Sequence, residues 1–99
     1  AMDASGVQIE CLVPEGAGKT LYGSIHIVEP GAGSSGPISH EGEEVGYVME
    51  GEFELTVDEQ TYRLTQGDSF FFESHRPHGY CNPGQTTTRV LWINSPPTF

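Results

Sequence analysis

Short segments in which apolar residues recur at every second position constrain the fold of this chain most. In the first of them, four such side chains precede the turn at Pro14-Glu15-Gly16: Val7, Ile9, Cys11 and Val13. Successive side chains of a β-strand point to opposite faces, whereas an amphipathic helix needs apolar residues three and four positions apart. No segment keeps that helical spacing. The sequence therefore predicts an all-β chain with little helix.

The same alternation, interrupted by glycine, proline and acidic turns, continues along the chain. We predict a loop over residues 30–36 and seven further strands, over residues 21–27, 44–50, 53–57, 61–65, 70–72, 78–81 and 86–94. Short strands at this spacing are typical of a jelly-roll-like antiparallel β-barrel, and 99 residues suffice for one small domain. We assign residues 7–99 to that single barrel and residues 1–6 to a disordered or cloning-derived N-terminus.

The charge of the chain limits its partners. Four Lys or Arg residues stand against fourteen Asp or Glu residues, which gives a formal net charge of −10. Such a balance repels nucleic-acid phosphates and anionic membrane surfaces, and it attracts cations. We therefore expect this chain by itself to bind neither DNA nor membranes, whereas a cationic ligand suits it.

Two features indicate the cellular compartment. No signal peptide and no apolar run of transmembrane length is visible in the sequence. Cys11 and Cys81 are too few for a disulfide framework and lack the spacing of metal-binding cysteines. We expect reduced thiols and a cytoplasmic protein.

The side chains that can carry chemistry lie in two turn-strand segments about thirty residues apart. The first runs His40-x3-Glu44-x6-Gly51 and the second Gly67-x10-His78-x3-Asn82. Glu44 shares one strand face with Gly46 and Val48, since alternate residues of a strand point the same way. Two neutral imidazoles and one carboxylate are suitable ligands for Zn, Fe(II), Ni or Mn.

These segments resemble the two sequence motifs of the cupin superfamily, small antiparallel β-barrels whose pocket often holds a metal ion. The family motifs usually run G-x5-H-x-H-x3,4-E-x6-G and G-x5-P-x-G-x2-H-x3-N. Gly51, Gly67 and Asn82 match them, but Ile38 stands at the first histidine position. Glu73 and His75 replace the proline and the glycine of the second motif. The resemblance implies a cupin domain over residues 7–99.

The resemblance also implies a metal site. His40, Glu44 and His78 would hold one divalent transition metal (zinc, nickel or iron), with water in place of the missing histidine. The alternative is a vestigial site, in which the same three side chains form a buried hydrogen-bonded network without metal.

Residues 40–82, and the stretch HEGEEVGYVMEGE in particular, resemble the sensor half of bacterial transcription regulators that join an N-terminal helix-turn-helix domain to a C-terminal cupin. Trp92 and the closing Ser-Pro-Pro-Thr-Phe resemble the putrescine-utilisation repressors among them. This kinship implies a polyamine sensor that forms a homodimer and contacts DNA only through a helix-turn-helix domain absent from this chain. Leu12 and Val28 are the apolar residues that we expect between subunits.

A polyamine site needs carboxylates for the ammonium groups and apolar or aromatic walls between them. We predict that acidic side chains lie at the pocket mouth and that six residues bind the ligand: His40, Glu44, Tyr47, His78, Tyr80 and Trp92. Tyr22 and Phe72 are further wall candidates. His26 is expected to be a satisfied interior or dimer-facing histidine, and His75 to be solvated.

Two other functional classes remain open. Two histidines and one carboxylate also occur in non-haem metal enzymes, so a small dioxygenase or isomerase is the alternative to a sensor. The missing fourth ligand and the lack of an obvious second acid or base favour a non-enzyme. The third possibility is a dimerisation barrel with an empty pocket.

Overall fold

The computed structural model of the protein describes residues 6–97, which form eight β-strands and no helix. The strands are β1 (Val7–Cys11), β2 (Tyr22–Val28), β3 (Glu43–Glu50), β4 (Glu52–Val57), β5 (Gln60–Thr65), β6 (Ser69–Glu73), β7 (His78–Cys81) and β8 (Thr88–Ser95). All eight predicted strands are therefore present. Within the described residues no helix is long and apolar enough to cross a membrane. The predicted N-terminal segment lies outside the described residues, except for Gly6.

Two antiparallel sheets make up the fold. One sheet has five strands in the order β1-β2-β8-β3-β6, and the other has three in the order β5-β4-β7. The hairpin between β4 and β5 turns through Asp58 and Glu59, which both have positive φ angles. Two successive residues of this kind match the right-handed twist of the strands they join. The all-β cupin fold predicted from the sequence is confirmed.

The loop between β2 and β3 follows the free edge of the smaller sheet. Isolated bridges pair Gly33 with Cys81 and Ile38 with His78, so the loop extends the ladder beside β7. A Cβ at position 33 would lie 2.1 Å from the backbone oxygen of Tyr80, and only glycine permits this approach. The predicted irregular loop thus covers a strand edge that would otherwise expose unpaired backbone groups.

Apolar side chains from both sheets meet between them. The core consists of Val48, Phe53, Leu55, Val57, Phe72, Val90 and Trp92. Phe53 is fully buried, and its ring lies 5.5–5.7 Å from the rings of Phe70, Tyr80 and Trp92. Gly46 supplies room in this cluster, because a Cβ there would lie 2.1 Å from the Phe70 ring. The aromatic cluster fixes the distance between the sheets on one side of the interior.

The structure corrects the prediction for one residue of β2. Val28 was expected on a face that packs against a second subunit, but it is fully buried inside the monomer. It shares its strand face with Ser24, His26 and Tyr22, and that face points into the barrel. Leu12 lies beyond the end of β1 and is 52% exposed, as expected for an outward-facing residue.

Replacing Phe53 with alanine tests the role of the aromatic cluster. We expect the free energy of unfolding to fall by about 3–5 kcal/mol, because a fully buried phenyl ring is removed and its neighbours cannot close the space. The matched control is Tyr62→Ala on β5, where 43% of the residue is exposed and the loss should stay below about 1 kcal/mol. Urea unfolding of both variants measures the difference. Equal losses would contradict this assignment of the core.

Candidate functional site

A cavity of about 190 Å³ lies between the sheets, beside the aromatic cluster. Its apolar and aromatic lining comes from Ile9, Ile38, Tyr80 and Trp92. Its polar lining is formed by Tyr22, Ser24, His26, Ser34, His40, Glu44, His78 and Asn94. Pockets for drug-sized molecules usually measure about 300–1,000 Å³, so this cavity suits a smaller molecule.

Three of the polar side chains converge as the motif predicted. Glu44 Oε2 lies 3.1 Å from His40 Nε2 and 3.2 Å from His78 Nε2. One ligand atom from each residue falls within 4.8 Å of the other two. Glu44 and His78 are buried, and His40 is half-buried at the wall of the cavity. We refer to His40, Glu44 and His78 as the acceptor triad.

Backbone carbonyl groups orient both imidazoles of the triad. His78 Nδ1 lies 2.8 Å from the carbonyl oxygen of Arg76, and His40 Nδ1 lies 3.1 Å from that of Glu41. A carbonyl oxygen only accepts, so Nδ1 of each ring donates to it. In both residues Nε2 is the ring nitrogen nearest Glu44. Metal-binding histidines are commonly oriented by a hydrogen bond of this kind.

The carboxylate of Glu44 is held in place by the core. Trp92 Nε1–H donates a hydrogen bond of 2.7 Å to Glu44 Oε1. Oε2 is buried and has no hydrogen bond of acceptable geometry, although two imidazole nitrogens lie close to it. Buried polar atoms are normally satisfied, so an orphaned carboxylate oxygen marks a place for a cation. The three ligand atoms of the triad are close enough to one another to surround a single cation.

The ionisation of the triad agrees with this geometry. Burial raises the pKa of Glu44, but its contacts with His78, Ser74 and Trp92 outweigh burial and bring the pKa below its ordinary value. Burial lowers the pKa of His78, but the contact with Glu44 and the carbonyl of Arg76 bring it above its ordinary value. Glu44 is therefore a carboxylate at neutral pH, and it favours a positive charge beside it.

The donor set also fits a divalent transition metal. Two imidazole nitrogens and one carboxylate oxygen are suitable ligands for such an ion. Ile38 lines the cavity at the position where the cupin motif has its first histidine, and it offers no ligand atom. A metal in this cavity would therefore have three protein ligands.

His26 lies outside the sequence motifs, on β2, which belongs to the same sheet as the strand of Glu44, and it lines the cavity. Its ring centre is 4.7 Å from that of Trp92, and Nδ1 lies 3.2 Å from Ser24 Oγ. Burial lowers the pKa of His26 to about 4, and the charge of Glu44 opposes the shift only partly. His26 is therefore an uncharged interior histidine at neutral pH. The prediction of an interior histidine is confirmed, but its position in the cavity lining was not predicted from the sequence.

The structure places the other predicted ligand-binding residues as follows. Tyr80 and Trp92 line the cavity, and Tyr22 does so as well. Tyr47 does not, and its prediction as a wall residue is wrong. It follows Gly46 on β3, so it points to the outer face of the sheet, where 47% of it is exposed. Phe72 lies in the core beside His78 rather than in the cavity lining.

Two further expectations concern the rim of the cavity and the motif histidine at position 75. Among the described residues, Glu44 is the only acidic residue that lines the cavity itself. Glu54 and Glu59 line a neighbouring pocket that shares Ser34, His78 and Tyr80 with the cavity, so acidic side chains at its mouth stay a prediction. His75 is exposed, as expected.

The polar lining residues that were not predicted are Ser24, Ser34 and Asn94. Strand alternation places Ser24 beside His26 on β2 and Asn94 beside Trp92 on β8, so it was the available signal for both.

Comparison with known proteins identifies relatives at two levels. The family profile of the cupin domain (Cupin_2) matches residues 24–94. The HTH-type transcriptional regulator PuuR of Escherichia coli K12 is 32% identical over 98 residues, which are 99% of this chain and 53% of PuuR. The chain thus spans about half the length of this relative. The resemblance to regulators found in the sequence is confirmed.

Solved structures agree with the family match. An RmlC-like cupin from Shewanella frigidimarina superposes with a TM-score of 0.80 and 33% identity, over 93% of this chain and 78% of that one. The Cupin_2 domain of an XRE family transcriptional regulator from Enterobacter cloacae superposes with a TM-score of 0.81 over 94% of this chain and 99% of that one. Its identity is 23%, so it supports the fold alone.

The depressed pKa of His26 predicts a specific loss of stability in acid. The ordinary value of 6.5 applies to the unfolded chain, which takes up a proton between pH 6.5 and about 4 while the folded protein does not. The contribution of His26 to the free energy of unfolding is thus fully present above pH 6.5 and is lost as the pH decreases. The unfolding free energy of the parent protein decreases between pH 7 and pH 4.5. We expect this decrease to be about 2–3 kcal/mol smaller in His26→Gln.

Urea unfolding at both pH values measures this difference. The control is His75→Gln, which changes an exposed histidine outside the cavity and should retain the pH dependence of the parent protein. An unchanged pH dependence in His26→Gln would show that His26 is not held neutral by burial.

Proposed function

The chain belongs to the cupin family, and we propose that it is the effector-binding domain of a bacterial transcription regulator that responds to a polyamine. The effector would be a small linear amine such as putrescine, cadaverine or spermidine. The observation that carries this proposal is the acceptor triad, a buried carboxylate and two imidazole nitrogens at the wall of a largely apolar cavity. Similarity to PuuR over nearly the whole chain supports the regulator assignment.

A primary ammonium group complements the triad. It offers three N–H donors and no acceptor, and the triad offers three acceptor atoms within 4.8 Å of one another. The hydrogen bonds to Glu44 would be charge-assisted, and they would satisfy the orphaned Oε2. A neutral hydroxyl has a single donor, so it could satisfy only one of the three acceptors. The triad therefore favours an amine over an alcohol of the same length.

The rest of the cavity suits a methylene chain. Trp92 and Tyr80 present aromatic rings whose centres lie 5.2 Å apart, and Ile9 and Ile38 add aliphatic surface. Such rings attract an ammonium group by cation–π interaction and the methylene groups by burial. Because the cavity has no second acidic residue among those described, we propose that hydroxyl or amide groups such as those of Ser24 and Asn94 receive the far end of the amine.

A metal ion is a second candidate ligand of the same residues. We propose zinc, nickel or iron held by His40, Glu44 and His78, since the donor types fit. Such an ion would supply Lewis acidity, which is the basis of the alternative function as a small dioxygenase or isomerase. The triad is the observation that favours this alternative. Similarity to a regulator, together with the three-residue ligand set, favours the sensor.

We propose that the regulator acts as a cytoplasmic homodimer. In this proposal a separate helix-turn-helix domain supplies the DNA contacts, and the strongly acidic cupin does not touch DNA. Paired helix-turn-helix units read two-fold operators, which favours a dimer. The outer face of the five-stranded sheet could form its interface, since Val45, Tyr47 and Phe71 are neighbouring and exposed there. Large exposed apolar surfaces of this kind often bind another protein.

Glu44→Gln tests the polyamine proposal. Glutamine keeps an acceptor for Trp92 but removes the buried charge, so putrescine affinity should fall by about 2–4 kcal/mol. The matched control is Glu43→Gln, the preceding residue on the exposed face of the same strand, which should change affinity by less than about 0.5 kcal/mol. Isothermal titration calorimetry measures both. Equal affinity in Glu44→Gln and the parent protein would rule out the triad as the ammonium site.

The oligomeric state can be tested separately. We expect the parent protein to be a dimer at tens of micromolar and the double variant Tyr47→Lys/Phe71→Lys to be a monomer, because two buried lysines would be desolvated at the interface. Tyr62→Lys is the control, since Tyr62 is similarly exposed but lies on β5 of the other sheet. Light scattering gives the masses. A monomeric parent protein, or a double variant that remains dimeric, would contradict the interface.

A further inference from the structure

We infer that a divalent metal ion and the ammonium group of the effector compete for the acceptor triad, so that metal binding antagonises effector binding. This inference rests on the proposed function, because it assumes an amine as the effector. It adds a second input to the sensor. The sensor would then respond to the ratio of the amine and metal concentrations rather than to the amine concentration alone.

The first argument is space. One ligand atom from each residue of the triad lies within 4.8 Å of the other two, so the three atoms can surround one cation but not two. Both imidazoles contact the same carboxylate oxygen, Glu44 Oε2. A metal ion and an ammonium group would therefore occupy the same position.

The second argument is charge. Glu44 is the only acidic residue among the described residues that line the cavity, and His26 in the same lining is uncharged at neutral pH. The single negative charge of Glu44 balances one ammonium group. A divalent ion already carries more positive charge than this carboxylate can balance. An ammonium group beside that ion would add a further positive charge in a largely apolar cavity. Simultaneous binding is opposed by repulsion as well as by geometry.

The third argument concerns exchange. Ile38 lines the cavity without offering a ligand atom, so the metal has three protein ligands rather than four. With fewer protein ligands the ion binds with lower affinity, so an incoming amine can displace it. Half-exposure of His40 at the cavity wall gives a path for this replacement.

Cobalt(II) provides a direct probe, because its visible absorption reports its ligands. Chelator-treated protein is titrated with Co²⁺, and putrescine is then added at saturation. We expect the protein-dependent cobalt absorption to disappear and the free cobalt concentration to rise. The apparent dissociation constant of putrescine should be at least 10-fold higher in cobalt-loaded than in metal-free protein.

Three results would overturn the inference. Cobalt absorption that persists at saturating putrescine would show a ternary complex, and equal putrescine affinity with and without cobalt would show independent sites. Failure of Co²⁺ to bind the metal-free protein would remove the competitor. Failure of putrescine to bind the metal-free protein would instead refute the proposed function itself, so the two failures can be told apart.

His40→Ala locates the shared site without touching the fully buried part of the triad. Both cobalt and putrescine affinities should fall at least 10-fold, because both ligands use Nε2 of His40. His75→Ala is the matched control and should leave both affinities unchanged. Circular dichroism of each variant checks the fold. A loss of cobalt affinity alone would show that the amine does not use the triad.

Discussion

The buried carboxylate of Glu44 is the constraint around which the interior of this barrel is organised. An uncompensated charge in a protein interior is strongly unfavourable, so its surroundings must supply donors or a cation. Trp92 on the neighbouring strand β8 supplies one donor, and it also belongs to the aromatic cluster that separates the sheets. The hydrogen bond from Trp92 to Glu44 thus connects the core to the cavity. Glu44 Oε2 is left without a hydrogen bond, and it lies next to the two imidazoles.

Most of the fold was predictable because strand alternation is a local property of the sequence. The same alternation also placed Glu44 inside the barrel, and the spacing of the motifs brought His78 to it. Applied consistently, it would have excluded Tyr47, which lies three residues after Glu44 and therefore on the other face of β3. It would also have placed Asn94 beside Trp92 on the inner face of β8. The polar lining from Ser34 could not be predicted, because it depends on how the loop before β3 packs.

The net charge of the chain acts differently from the charge inside the cavity. Fourteen acidic residues give a long-range attraction for cations, yet only Glu44 of the described acidic residues lines the cavity. The surface charge raises the local concentration of an amine, and salt screens it. In the proposed function, recognition depends on the desolvated contact with the triad, whereas the long-range attraction comes from carboxylates outside the cavity.

Calorimetric titration of the metal-free protein with putrescine, compared with butane-1,4-diol, tests the central claim most directly. The two molecules have the same chain length and differ in the number of donors and in charge at each end. If the triad binds an ammonium group, putrescine should give a saturable heat, and the diol should give none over the same concentration range. Equal heats for the two ligands, or no heat for either, would contradict a cation site in this cavity.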